Sequence, residues 1–166
     1  MEDAEFLASL INDPEVRGIL GAYSLIAPIS VETEKNWIAQ ANAKDNEAHV
    51  IIEIKKEKRS IGILSIKDID HRNSSAQISI IIERQSWNMG YGSEAVRTAI
   101  SFLIERMNMH RIWLRVDENN HRALRCYEKC GFKFDGVLRE DHFSDGRWKS
   151  SLVMSLLSTE YWKERR

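Results

Sequence analysis

Apolar and polar positions along the chain alternate with two different periods, and the switches between them predict the elements. Residues 3–20 predict one or two short helices, with Asp13 and Pro14 as a helix start, aspartate capping and proline in the first turn. Residues 32–43 predict another helical stretch, with Trp37, Ile38 and Ala41 on one face. Residues 48–55 predict a strand, 55–60 a charged turn, and 61–67 a second strand that closes a hairpin. After a polar turn over 68–74, residues 76–82 alternate. Ile78, Ile80 and Ile82 face one side, and Gln77, Ser79 and Ile81 the other, which is strand patterning.

Over 92–107 the period changes to three and four, with Val96, Ala99, Ile100, Leu103, Ile104 and Met107 making an apolar stripe. A strand follows at 111–116, then a helix over about 120–130 that stops at Gly131, then strands at 132–138 and 148–157. Helices, a meander, one β-α-β crossover, a helix and a closing hairpin make an α/β (α+β) chain. Its central sheet is mixed and mostly antiparallel, with one parallel step. A length of 166 residues without repeats or a Pro/Ser-rich linker predicts a single domain over 1–166.

Composition narrows the function classes. A net charge of −1 argues against a general nucleic-acid binder. No apolar run approaches the roughly 18–20 residues of a membrane span, and the acidic start lacks the basic region of a leader. Cys126 and Cys130, four apart on a predicted helix, read as reduced thiols, which predicts a cytoplasmic protein. The five histidines show no ligand spacing, so no metal is expected. Charge is uneven. Residues 1–50 hold nine acidic and three basic residues, a net of −6, which leaves the rest at +5. Such a field suits a cationic partner at one end and an anion at the other.

The sharpest local feature is Trp87-Asn-Met-Gly90-Tyr-Gly92-Ser-Glu-Ala95, between a strand and an amphipathic helix. Free amides and partial positive charge at a helix start hold phosphates, and glycine lets backbone approach them. The loop therefore predicts a pyrophosphate site. Gly90-x-Gly92-x-x-Ala95 also matches a dinucleotide fingerprint, with Asp117 where a ribose-binding acid would stand, so a small NAD(P)-dependent oxidoreductase is one alternative. Against it stand the gap of about seven residues between Ile82 and Gly90, the single β-α-β unit and the preceding meander.

A second segment, Asn119-Asn-His-Arg-Ala-Leu-Arg-Cys-Tyr127-Glu-Lys-Cys-Gly131-Phe132, follows about 30 residues later. The two together resemble the Gcn5-related N-acetyltransferases, which carry a Q/R-x-x-G-x-G/A loop and then an Asn…Tyr-Glu-Lys-x-Gly-Phe segment. Trp87 in place of Gln or Arg, and the tail Gly136-Val-Leu-Arg139…Phe143…Gly146…Met154, are similar to the Rim-like and spermidine acetyltransferase branch. The resemblance implies the acyl-coenzyme A N-acyltransferase fold, with strands 76–82 and 111–116 splayed around the pantetheine arm of acetyl-coenzyme A. It implies that backbone groups of Ile80, Ile81 and Ile82 and the Asn120 side chain hold that arm, and that the amides of Asn88, Met89, Gly90, Tyr91, Gly92 and Ser93 hold the pyrophosphate. It also implies that Tyr127 protonates the leaving thiolate.

The sequence departs from the family pattern in three places. The Arg-Leu-Arg-Pro type of first strand is missing, so the sheet should start one strand short, through truncation or a different start. Gln77 stands where many relatives have Glu, which leaves the base among Glu83, Glu34 or Glu32 acting through water, or no dedicated base. Ser150 replaces an Asp of the Rim-like branch and leans towards polyamines. Glu32, Glu34 and Gln77 are thus the expected acceptor contacts, and the acceptor a polyamine-like or peptide α-amine. A non-catalytic coenzyme A-binding module is the other alternative, and a homodimer would cover an exposed sheet edge.

Overall fold

The computed structural model describes residues 2–19, 27–144, 146–163 and 165. Residue 20, the end of the first expected helical stretch, lies outside the described residues. Helix α1 (Glu2–Asn12) breaks at Asp13 and restarts as α2 (Pro14–Ile19). The Asp13 carboxylate accepts the N–H groups of Glu15 at 2.8 Å and Val16 at 3.1 Å, so aspartate caps and proline fills the turn that needs no donor. Helix α3 (Val31–Ala41) starts on Ser30, whose Oγ accepts the Thr33 N–H at 3.1 Å.

Six strands follow: β1 (Ala48–Ile54), β2 (Arg59–Asp70), β3 (Ser75–Ile82), β4 (Arg111–Asp117), β5 (Lys133–Ser144) and β6 (Arg147–Leu157). Their spatial order is β1-β2-β3-β4-β6-β5. Every neighbouring pair is antiparallel except β3–β4. Helix α4 (Tyr91–Glu105) makes the crossover from β3 to β4, and α5 (His121–Lys129) links β4 to β5.

Two cores sandwich the sheet. On one face Leu64, Ile66, Ile78, Ile112 and Leu114 pack against Val96, Ile100 and Leu103 of α4 and Tyr127 of α5. On the other, Ile63 packs against Leu7, Leu10 and Val16 of the first two helices. Strand β2 is covered on both faces, which is why residues 61–66 are an unbroken buried run. Each such aliphatic side chain contributes about 1.5–3 kcal/mol on burial.

Most bounds fall within two residues of expectation, and β2 and β5 differ most. Strand β2 reaches into both flanking polar segments, starting at Arg59 and ending at Asp70 across an irregularity after Lys67. Strand β5 runs to Ser144 rather than 138. Its polar end still pairs with β6, His142 with Lys149 and Phe143 with Trp148, because backbone ladders do not depend on side-chain polarity. A short helix α6 (Ser158–Lys163) follows β6; Glu160 accepts the Leu157 N–H at 3.0 Å, and Tyr161 donates to Glu105.

The parallel pair positions the site. Strands β3 and β4 pair only at Ser75–Arg111, Ala76–Ile112 and Gln77–Trp113. Beyond Gln77, β3 continues to Ile82 held by β2 alone, and beyond Trp113, β4 continues to Asp117 held by β6 alone.

Candidate active site

The parting of β3 from β4 opens a cleft of about 970 Å³, at the upper end of the range for ligand sites. Ile80, Ile81 and Ile82 form one wall, and Arg115, Val116 and Asp117 the other. The backbone groups of Ile80 and the N–H of Ile82 point away from β2 and have no ladder partner here, so they are free to pair with an extended amide-bearing ligand.

At the end of β3 a 3-10 turn (Arg84–Ser86) leads into the glycine loop. The Trp87 indole donates to the Ile82 carbonyl at 2.7 Å and ties the loop to the strand. Asn88 and Gly90 adopt positive φ, +61° and +91°. Gly90 is the N-cap of α4 and offers no side-chain cap, so the first-turn amides keep their donors for a ligand. At Gly92 a Cβ would meet Cys126 Sγ at 3.8 Å and Ile82 Cγ1 at 4.0 Å, so the helix start is packed close to both neighbouring elements. Asn88, Gly90, Gly92 and Ser93 line the cleft. Met89 and Tyr91 do not, and Met89 is exposed.

Helix α5 supplies the facing wall. Asn120 is its N-cap, Oδ1 accepting the Ala123 N–H at 3.1 Å, and it also lines the cleft. Arg122, Arg125 and Lys129 turn towards the same space and make it electropositive. Periodicity alone does not mark these three as functional, although their spacing of three and four on one helix is a signal. The Arg122 guanidinium lies 3.3 Å from the centroid of the Trp87 ring, and burial lowers its pKa, opposed in part by Glu15. Cys126 lies 3.2 Å from the Ser93 hydroxyl. Hydrogen bonding from Cys130 and Ser93, with Arg97 and Lys129 nearby, brings its thiol down to about 6, while Cys130 is pushed up by the same bond and by burial. Tyr127 is buried and in edge contact with Phe132 at 5.8 Å, yet it lines the cleft; burial raises its phenol above the ordinary range.

The far end of the cleft is built from α3 and the sheet face beneath it. Glu34, Trp37, Ser65, Lys67, Gln77 and Ser79 line it. Glu34 is only 3% exposed, and burial raises its carboxyl pKa. Glu32 is not part of this wall; it is exposed and pairs with Lys35 at 3.4 Å. Glu83 also lies off the wall, held by Arg59 and by the Ser86 hydroxyl at 2.7 Å. On the β4–β6 side, His142 sits between Asp117 at 3.2 Å and Asp141 at 3.0 Å. Asp117 also accepts the Asn119 N–H at 2.7 Å. It is thus engaged in a turn and in a contact with His142, and the mostly antiparallel sheet is not a dinucleotide fold.

A sheet that splits around a cleft, with an uncapped glycine-led helix at its mouth, is the acyl-coenzyme A N-acyltransferase fold. The chain belongs to the acetyltransferase (GNAT) domain family, whose model matches residues 1–133. It is an acetyl-coenzyme A-dependent N-acetyltransferase. The chain is similar to the spermidine N(1)-acetyltransferase of Vibrio cholerae serotype O1, 27% identical over 159 residues, 96% of this chain and 90% of the relative. It is also similar to the uncharacterized N-acetyltransferase p20 of Bacillus licheniformis, 29% identical over 165 residues, 97% and 90% of the two chains. The crystal structure of the Vibrio cholerae spermidine N-acetyltransferase in complex with CoA and spermine superposes with a TM-score of 0.88 at 24% identity. It covers 97% of this chain and 93% of that one.

Proposed function

We propose that the chain transfers the acetyl group of acetyl-coenzyme A to a primary amine of polyamine type by direct attack in a ternary complex. The observation that carries this is the end of the β3–β4 ladder at Gln77–Trp113, which leaves a through-going cleft between the strands. The free edge of Ile80–Ile82 suits a pantetheine amide, the first-turn amides of α4 a pyrophosphate, and the α5 bases its phosphate charge. At the far end, the buried Glu34 carboxylate and the Asp117–His142–Asp141 cluster favour an ammonium group, in line with the polyamine substrates named for the relatives.

The residues divide the chemistry. A free backbone N–H of β3 stabilises the developing oxyanion. Tyr127 donates its proton to the departing thiolate, and burial keeps that phenol protonated. Asn120 caps α5 and so fixes the turn that presents Tyr127.

A peptide α-amine is the second acceptor class. Lys67 and Arg115 line the same end and would repel a polyamine while holding an acceptor that also carries an anionic group. Acetyl-coenzyme A with a panel of spermidine, spermine, short peptides and an amino sugar, followed by free thiol release, separates the two. Turnover confined to the polyamines supports the first class. Turnover confined to peptides replaces it with the second, and thiol release with no amine overturns both.

Residues 1–166 act as one domain in this proposal, and the two free thiols suit a cytoplasmic setting. A second copy would cover the β5 edge, where Phe134 and Val137 are exposed. Among the described residues no helix is long and apolar enough to cross a membrane.

A further inference from the structure

An alkyl amine with a pKa of about 10.4 is almost wholly protonated at neutral pH and must lose a proton before it can attack. Position 77 is glutamine, and Glu83 and Glu32 lie off the cleft wall. Glu34 does line the acceptor end, but at 3% exposure it is a rival base rather than a route that leads the proton out to solvent. We propose that Ser65, His49 and Glu47 form the route by which the acceptor amine is deprotonated, an inference that rests on the acetyl-transfer reading above.

The register sets up the route. His49 of β1 pairs with Ser65 of β2, and Ser65 pairs with Ser79 of β3, so the three side chains form one row on one face, about 4.8 Å from strand to strand. Ser79 lies in the part of β3 that has left β4, and both Ser79 and Ser65 line the cleft. His49 stands behind Ser65, with its side chain 8% exposed. Its Nδ1 is 2.8 Å from Ser65 Oγ, and its Nε2 is 3.2 Å from Glu47 Oε2. Trp37 of α3 meets the imidazole edge-on at 4.7 Å and fixes its plane. Glu47 is 19% exposed at the outer end, where Lys44 pairs with it at 2.9 Å and lowers its pKa. An ionised Glu47 keeps the proton of His49 on Nε2, which leaves the Nδ1 lone pair towards the serine hydroxyl. Of the charged groups nearby, Glu47, directly before β1, meets the ring, Lys44 pairs with Glu47, and Glu34 on α3 and Lys67 on β2 line the cleft onto which Ser65 opens.

The proton count closes. One ammonium proton passes to Ser65 Oγ, directly or through Ser79 or water, as the serine proton passes to Nδ1. The products are the free amine, a neutral serine and an imidazolium paired with Glu47. The nitrogen lone pair then forms the C–N bond, the C–S bond breaks with its electron pair on sulfur, and the second amine proton reaches sulfur by way of the Tyr127 hydroxyl. His49 returns its proton to water, so each turnover of an ammonium substrate releases one proton.

The test is the pH dependence of kcat/KM for the most active amine of the panel, at saturating acetyl-coenzyme A, in the wild type and in Ser65→Ala, His49→Gln and Glu34→Gln. Ser65→Ala and His49→Gln are expected to lose about 10²-fold at pH 7 and to recover as the pH approaches the pKa of the amine, because the free base needs no relay. Their stabilisation by acetyl-coenzyme A should match the wild type. Glu34→Gln should raise the acceptor KM without such recovery. A deficit equal at every pH, no deficit, or recovery confined to Glu34→Gln overturns the relay alone. If His49→Gln does not fold, Ser65→Ala decides by itself. A wild type that releases no thiol with any amine removes the acetyl-transfer reading, and the relay with it.

Discussion

Gln77 and Trp113 are the last residues that β3 and β4 share, and every feature of the site lies on the open side of that pair. A parallel pair normally continues until one strand ends. Here each strand runs on, supported by its other neighbour, Ile80 by Leu64 and Arg115 by Val153. The cleft is therefore rigid without being closed, and it separates a phosphate end near α4 and α5 from an amine end under α3.

Tyr127→Phe tests the proposed acid. The ring stays, so the core contacts with Phe132 persist and acetyl-coenzyme A affinity should be unchanged, while kcat falls about 10²-fold. Burial raises the phenol pKa, so the donor form persists to higher pH. The wild-type rate should accordingly show no alkaline fall from this group up to about pH 10, the ordinary phenol value. An unchanged kcat in the variant removes Tyr127 from the mechanism.

Arg122→Ala tests the phosphate end. The guanidinium stacks on Trp87, whose indole anchors the glycine loop to Ile82. A charge-assisted contact contributes about 1.5–3 kcal/mol, so coenzyme A should bind about ten- to a hundredfold more weakly. The loss should shrink at high salt, since added ions screen the same attraction in the wild type. Isothermal titration at two salt concentrations checks both the size and its direction.

Cys126 and Cys130 should differ sharply towards an alkylating agent. Cys126 lines the cleft with its thiol near pH 6, whereas Cys130 is buried with its thiol pushed up. At pH 7 iodoacetamide should label Cys126 at least about tenfold faster, and coenzyme A should slow that labelling. Peptide mapping by mass spectrometry reads both rates. Equal labelling, or no protection by coenzyme A, contradicts the placement.

Glu34 carries a stability signature. Its carboxyl pKa is raised in the folded state by burial, so the folded chain holds a proton that the unfolded chain releases. Stability from this group is present below the ordinary value of 4.5 and is lost as pH rises through the folded value. Glu34→Gln removes that loss, so the stability of the variant relative to wild type should climb between pH 4 and pH 7. Urea unfolding at several pH values measures it, and a constant difference speaks against a raised pKa.

Much of this architecture is legible from period alone. The alternation of Ile78 and Ile80 against Gln77 and Ser79 marks β3, and the stripe from Val96 to Ile104 marks α4, because each buries one face. The glycine loop is legible because Gly90 needs a positive φ and Gly92 sits against α5 and the end of β3. What period does not carry is register. Ser65 and His49 are 16 residues apart, and His142 meets Asp117 across 25 residues, and neither pair has a local signal. The polar end of β5, Arg139 to Ser144, reads as loop because nothing apolar covers most of it, although its backbone is fully laddered at His142–Ser144. Glu32 and Glu34 look equivalent in sequence, but two residues on a helix is about 200° of rotation, so one faces Lys35 and solvent while the other is buried.

Acetyl transfer in this cleft requires that the pantetheine arm lie along the unpaired edge of β3. Amide hydrogen exchange with and without coenzyme A measures this directly. The expected result is new protection at Ile80 and Ile82 and at 88–93 on binding, with little change at Ile81, Leu64 and Ile66, which are already laddered inside the sheet. Coenzyme A that binds while the exchange of Ile80 and Ile82 stays as it was would contradict the cleft as the place of reaction.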